Sequence, residues 1–306
     1  MTRSDVIDWL LAGDVAVQFQ TNRDLLRRID RDLQRRIAEE GEGAALLAAR
    51  GESQHWGLSF YRPKWTCSHY TLLDLKNLGL SPTNSVAREV TRLILEREKG
   101  QDGGLNPSPA GKHSDACING MALNYAAYFG ADEDQLSSII DFLLGQQLDD
   151  GGFNCRLNRS GAQHSSVHTT LSVFEGLSQY RRDGYQHRVP ELRPVQEGAV
   201  EFFLRHRLYR SERSQEPIDQ AFTRFHHPAR WHFDVLRCLD AFADAGVRYD
   251  PRMEDALGIL ERRRRADGRW VAARAYPGAT HLPAPRAGQP SRWVTLIARR
   301  VLDAYN

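Results

Sequence analysis

Three residues of this 306-residue sequence could bind zinc together. Asp115, Cys117 and His168 offer one carboxylate, one thiolate and one imidazole, which are ligand types that zinc accepts. Three protein ligands would leave a fourth position for water or a substrate atom, as in catalytic zinc sites. The residues therefore predict a catalytic metal site, while the alternative is that Cys117 is a small buried side chain and His168 a structural histidine.

The three candidate ligands belong to a repeat that would bring them together. An Asp-Gly turn followed by an apolar or aromatic residue occurs at Asp102, Asp150 and Asp267, at intervals of 48 and 117 residues. The helices that follow such turns align with one another, and the aligned starts are His69, Cys117, His168, His232 and Trp293. An interval of this size predicts stacked helical hairpins that share one core. In a closed ring, the starts of the inner helices would meet at one mouth.

We therefore predict an all-α fold, an α/α toroid of about five to six helical hairpins, although an open solenoid would show the same periodicity. A single domain is predicted over 1–306, with divergent N-terminal helices in 1–50 and recognisable repeats in 51–306. The apolar spacing predicts helices over Asp5–Leu11, from Val15 to about Ala38, from Ser85 to a stop at Gly100, and over Asp132–Gln147. Pro194 is predicted in the first turn of a further helix.

The turns and helix starts resemble those of a known family. The Asp-Gly-Gly-Phe turn at 150–153, the Asp-x-Cys at 115–117 and the Val-His-Thr-Thr at 167–170 are similar to the β subunits of protein prenyltransferases. More broadly, they resemble the terpenoid-cyclase and prenyltransferase α/α-toroid superfamily. The resemblance implies that Asp115, Cys117 and His168 bind zinc, which holds a substrate thiolate that attacks C1 of an isoprenoid diphosphate.

The sequence departs from that family where the diphosphate is held. Lys112 matches a family lysine three residues before the zinc aspartate, but Pro109 stands where the family has a basic residue and Ile118 where it has an aromatic one. The Asp-x-Asp-Asp proton donor of squalene-type cyclases is absent. The predicted ligand is therefore a small apolar or isoprenoid-like molecule.

Several residues near the predicted mouth are candidates for binding this ligand. Lys112 and Arg230 could contact an anionic group. The predicted apolar lining and its neighbouring imidazoles are Trp65, Trp231, Trp293, His69 and His232. Substitute metal ligands in the loops that lead to the mouth are His113, His164 and Cys155. The stretch 207–234 is rich in arginine, histidine and aromatic residues, and is either a ligand-binding lid or an aromatic interface loop.

The bulk composition excludes some classes of partner. A net charge of +2 gives no overall attraction to nucleic acid, and no apolar stretch approaches the length of a membrane span. Four cysteines in a chain of this length predict no disulfide framework and a reduced, cytoplasmic setting. The composition leaves open whether the protein binds a protein partner.

The leading functional prediction is a zinc-dependent, prenyltransferase-like transferase. One alternative is a non-catalytic toroid that binds an apolar ligand or a protein. The other is an α/α-barrel carbohydrate-active enzyme that uses paired carboxylates, such as Asp115 and Asp234, as acid and base.

Overall fold

In the computed structural model, which describes residues 3–52, 54–107 and 113–305, the chain folds into two compact units. The first unit comprises Met1–Ala49, Asn77–Ser81 and Leu204–Asn306. The second comprises Arg50–Lys76 and Pro82–Phe203. A single domain over 1–306 stays a prediction.

The described residues are helical, with isolated bridge pairs and no strand among them. Their α-helices, in chain order, are α1 (Arg3–Leu11), α2 (Val15–Gln20), α3 (Arg31–Arg36), α4 (Gly41–Ala48), α5 (Ser68–Leu78), α6 (Ser85–Arg97), α7 (Ala116–Tyr128), α8 (Glu133–Leu144), α9 (Leu157–Ser160), α10 (Val167–Arg182), α11 (Val189–Arg205), α12 (Val235–Asp244), α13 (Glu254–Arg263) and α14 (Arg292–Tyr305). The predicted all-α class is confirmed. None of the helices in these ranges has the length and apolar character that crossing a membrane requires.

Two predicted helix boundaries are wrong. The helix predicted from Val15 to about Ala38 continues past α2 only as a π-helical turn, Thr21–Leu25. Asp30 accepts hydrogen bonds from the N–H groups of Asp32 and Leu33 and so starts α3 as a separate helix. Pro194 lies inside α11, and Pro190 takes the first-turn position that needs no N–H donor.

The Asp-Gly turns have the backbone conformation that glycine allows. Gly103, Gly151 and Gly268 have φ of 84°, 90° and 73°, which is the left-handed region. Asp102 also accepts hydrogen bonds from the N–H and hydroxyl of Ser114, both at 2.7 Å, and so ties the turn to the loop before α7. These turns therefore have a structural role.

Each turn is bound to the following inner helix by one polar side chain. The N–H of Leu105 donates to Asn119 Oδ1 at 2.6 Å, and the Asn119 amide donates back to the Leu105 carbonyl at 3.0 Å. Equivalent bonds join Phe153 to Thr170 in the second unit, and Trp270 to Thr295 in the first. These three polar residues each stand two places after an aligned helix start, so the repeat alignment is confirmed at these helices.

Glycines let α7 and α10 approach closely in the second unit. A Cβ built on Gly120 would lie 2.6 Å from both the Ser172 carbonyl oxygen and the Val173 Cα. A Cβ on Gly176 would overlap the Gly120 carbonyl oxygen. Backbone atoms cannot move aside as a side chain can, so this contact requires glycine on both helices.

We expect Gly120→Ala to lower the free energy of unfolding by about 3 kcal/mol, because the added methyl group overpacks a backbone–backbone contact. Urea denaturation followed by circular dichroism measures the change. Gly145→Ala is the matched control, because its added Cβ would lie no closer than 3.5 Å to its nearest neighbour. Equal effects of the two substitutions would contradict this account.

Candidate functional site

An ion pair stands at the start of α7 in the second unit. Asp115 is the N-cap residue of this helix and is buried, while Arg159, in the short helix α9, reaches its carboxylate with a side chain that is 66% exposed. Burial raises the pKa of Asp115, and the guanidinium of Arg159 opposes that rise. The pair therefore places a buried carboxylate beneath a solvent-accessible cation.

Cys117 is joined to Cys155 as a disulfide, which corrects the prediction that the four cysteines form no disulfide framework. The loop after the Asp150 turn runs against the first turn of α7, so that the two Cα atoms lie 6.0 Å apart, within disulfide range. The Cys117 N–H also donates to Cys155 Sγ at 3.2 Å. Cys67 and Cys238 are buried and belong to no disulfide. A cytoplasmic location stays a prediction.

The residues predicted to bind zinc do not form a metal site as they are arranged. The disulfide occupies the thiol of Cys117, and Arg159 occupies the carboxylate of Asp115. His168 is half-buried in the first turn of α10. Within 3–52, 54–107 and 113–305, no three His, Cys, Asp or Glu side chains are grouped to hold a metal ion. Zinc stays a prediction.

A tyrosine hydroxyl pair lies within the electrostatic range of the Asp115 carboxylate. Tyr61 Oη is 3.0 Å from Tyr70 Oη, and Tyr61 is half-buried. Burial raises the pKa of Tyr61, and the Asp115 charge raises it further while Arg159 lowers it. Both charges therefore act on this phenol, which stays protonated at neutral pH.

His69 lies in an aromatic cluster behind Tyr61. The rings of Tyr61 and Tyr70 have centroids 5.3 and 4.9 Å from that of His69, and Tyr125 Oη is 3.5 Å from its Nδ1. Its Nε2 is buried and has no hydrogen-bond partner in the part of the chain that the structure describes. Burial lowers the pKa of His69 to about 3, so the ring is neutral. Trp65 packs edge-on against Tyr70 and is 5% exposed.

Four rings of the first unit form one stack. Trp231 lies on His232 with centroids 3.7 Å apart, His232 on Tyr276 at 3.5 Å, and Tyr276 on His226 at 4.5 Å. The ring planes differ by 9° to 25°. Tyr276 comes from the irregular segment 271–290, and the stack therefore holds that segment on the loop before α12.

A second ring pair includes His227, which follows His226 of the stack in the sequence. His227 stacks on Trp293 at 4.9 Å, and the Trp293 indole N–H donates to Glu42 Oε2 at 3.0 Å. Arg230 is 8% exposed, and its φ is 56°. Burial lowers the pKa of His227 to about 3, with Arg230 adding to the effect. The structure thus gathers the predicted residues Arg230, Trp231, His232 and Trp293 in one unit.

Asp234 is an N-cap residue of the first unit. Its Oδ1 accepts the N–H of Arg237 at 2.9 Å, and its Oδ2 accepts the N–H of His226 at 3.2 Å. Asp115 belongs to the second unit. These bonds give Asp234 a structural role at the start of α12.

Sequence reasoning missed Arg159 and Tyr61. Arg159 lies in a short helix after an Asp-Gly-Gly-Phe turn and carries no recognisable motif, and Tyr61 lies in the aromatic-rich stretch 56–65, whose pattern indicates no proton-transfer role. The predicted contacts of Lys112 and the departure at Pro109 lie outside the described residues. His113 and His164 are exposed in their loops.

Comparison with known proteins yields a structural likeness. The sequence matches no protein-family model, and no curated protein matches it. A solved structure of a polysaccharide lyase shares the fold with a TM-score of 0.53, at 12% identity, over 98% of this chain and 96% of that chain. At this identity the likeness shows the fold alone. It agrees with the predicted all-α toroid class, and it gives no support to the prenyltransferase resemblance.

The neutral state of His69 predicts a pH dependence of stability. The unfolded chain protonates this residue near 6.5, whereas the folded chain does so near 3. The contribution of neutral His69 to the free energy of unfolding is therefore fully present above about pH 6.5. It is lost as the pH falls towards 3. We expect the wild type to lose about 2 kcal/mol more of its free energy of unfolding than His69→Gln between pH 7 and pH 5. Exposed His164→Gln is the control, and equal losses in wild type and His69→Gln would contradict the assignment.

The cysteine pairing predicts a thiol count. Protein denatured without reductant should titrate two thiols, from Cys67 and Cys238, and digestion should yield a peptide that joins Cys117 to Cys155. Elemental analysis of the same sample tests the competing prediction that Asp115, Cys117 and His168 bind zinc. Four free thiols together with one equivalent of zinc would restore the metal site.

Proposed function

We propose that the chain is a carbohydrate-active enzyme of the lyase type, which cleaves an acidic polysaccharide by β-elimination in the second unit. The observation that carries the proposal is the buried Asp115 carboxylate paired with the exposed Arg159 guanidinium, with both charges acting on the Tyr61 phenol. The fold shared with a polysaccharide lyase supports it by analogy.

β-Elimination in a uronate chain needs three groups. A cation neutralises the sugar carboxylate and so acidifies the adjacent C5–H bond. A base removes that proton, the C4–O bond breaks, and its leaving oxygen takes a proton from an acid. The electrons of the C–H bond form the C4=C5 double bond, and no water is consumed.

Arg159 suits the carboxylate-binding role. Its planar guanidinium presents paired N–H donors that match a carboxylate, and its exposed side chain can reach a ligand from solvent. The bond to Asp115 would be exchanged for one to the substrate.

Asp115 suits the role of the base. Burial already raises its pKa, and the withdrawal of Arg159 towards substrate would remove the effect that opposes this rise. A carboxylate whose pKa lies closer to neutral accepts a proton more readily.

Tyr61 suits the role of the acid. Its raised pKa keeps the phenol protonated at neutral pH, and Tyr70 Oη at 3.0 Å can take part in the same hydrogen-bond chain. Loss of a proton to the leaving oxygen would be followed by its recovery from solvent.

The experiment is an assay of polygalacturonate, alginate, hyaluronan and chondroitin sulfate for products that absorb in the ultraviolet as unsaturated uronates. Asp115→Asn and Tyr61→Phe should each lower kcat about 100-fold or more on the cleaved polymer, because each removes a proton-transfer group. Arg159→Lys should raise KM, because an ammonium cannot form the paired contact.

Asp141→Asn is the matched control, because this exposed carboxylate of the same unit pairs with Arg188 and His187 instead. Products that contain the elements of water and no double bond would identify a hydrolase and would overturn the proposed β-elimination. No cleavage of any of these polymers would overturn the proposal.

A further inference from the structure

The Cys117–Cys155 disulfide joins the two segments of chain that carry the charges of the candidate site. Cys117 stands two residues after Asp115, and Cys155 stands four residues before Arg159. The bond therefore holds the segment that carries the cation against the helix start that carries the carboxylate.

The segment that carries Arg159 has few other anchors. The helix α9 has four residues, none of them buried, and a helix of this length is not stable without outside contacts. Among the described residues, its side chains bond the rest of the second unit through Asn158 and Arg159. The Asn158 amide donates to Gln146 Oε1 at 2.7 Å and to the Ser114 carbonyl at 3.4 Å. The disulfide therefore anchors a segment whose other side-chain bonds are polar ones that water can replace.

The disulfide is accessible to an external reductant. Cys117 and Cys155 are both half-buried, whereas Cys67 and Cys238 are fully buried. An accessible disulfide is attacked by an external thiolate more readily than a buried one. Attack at Cys155 Sγ would leave Cys117 as a thiolate in the first turn of α7, where the helix dipole stabilises a negative charge.

We propose that this disulfide is a redox switch that controls the position of Arg159. In the oxidised form, the disulfide holds Arg159 on Asp115, where the guanidinium is ready to receive a substrate carboxylate. Reduction by a dithiol transfers two electrons and two protons, so that the S–S bond breaks, two thiols form and the dithiol becomes a cyclic disulfide. The segment 154–161 is then released from α7. The inference rests on the proposed function for the role of Arg159 and adds the regulation of that site.

The first test compares hydrogen exchange, measured by mass spectrometry, in oxidised protein and in protein reduced with dithiothreitol. The N–H groups of Leu157, Ser160 and Gly161 donate hydrogen bonds within the segment, so their exchange reports whether it keeps its conformation. We expect the exchange of 155–161 to be about tenfold faster after reduction, and that of α12 to be unchanged. Protein with both Cys117→Ser and Cys155→Ser should exchange at the fast rate with or without dithiothreitol.

Cys238→Ala is the matched control, because Cys238 is a buried cysteine of the first unit that belongs to no disulfide. This variant should keep the full response to dithiothreitol. A denaturation curve of each redox form checks that the fold is retained. Three results would each overturn the inference: no disulfide between Cys117 and Cys155 after treatment with oxidised dithiothreitol, unchanged exchange of 155–161 on reduction, or equal acceleration in α12.

The second test measures cleavage of an acidic polysaccharide by the two redox forms. Reduction should lower kcat/KM about tenfold, because the released Arg159 no longer meets the sugar carboxylate beside Asp115. Arg159→Ala protein should show the lower value already in the oxidised form and should not respond to dithiothreitol, since both changes remove the same contact.

The two tests separate the switch from the proposed function. Absence of cleavage in both redox forms, together with faster exchange of 155–161 after reduction, would overturn only the proposed function. Cleavage with an equal kcat/KM in both redox forms would overturn only the switch.

Discussion

The hydrogen bonds between each Asp-Gly turn and the inner helix after it are the constraint on which the repeat depends. The residue after the turn buries a backbone N–H and C=O that would cost about 1–3 kcal/mol each if left unpaired. Asn119 satisfies both groups of Leu105 with one amide, and Thr170 does the same for Phe153 with one hydroxyl. Because these bonds fix the turn against the first turns of the helix, they also fix the residues at the helix start.

The candidate chemistry follows from that placement. Asp115 precedes α7 directly, four residues before Asn119, so its carboxylate is held where the loop after the next turn passes. That loop brings Cys155 to Cys117 and Arg159 to Asp115. A carboxylate that the repeat buries at a helix start thus meets a cation from the short helix α9, which belongs to no repeat pattern.

In the first unit, the acidic residue at the start of an inner helix has a different role. Asp234 stands two residues after the aligned start at His232, yet both of its oxygens accept backbone N–H groups. The helix consequently begins at Val235, three residues later than the alignment indicates, and the residues before it form the ring stack with Tyr276. At this helix the sequence alignment therefore indicated the start three residues too early.

The sequence by itself determined the helical class, the turn glycines and the register of the repeat at α7, α10 and α14, because apolar spacing and left-handed glycine positions are local properties. It also indicated that Asp115, Cys117 and His168 open aligned helices. Only the tertiary structure decided that Cys117 bonds Cys155 and that Arg159 covers Asp115, since partners 38 and 44 residues apart are chosen by how loops pack. For the same reason, Asp115 and Cys117, whose side chains suit a zinc site, instead take part in an ion pair and a disulfide.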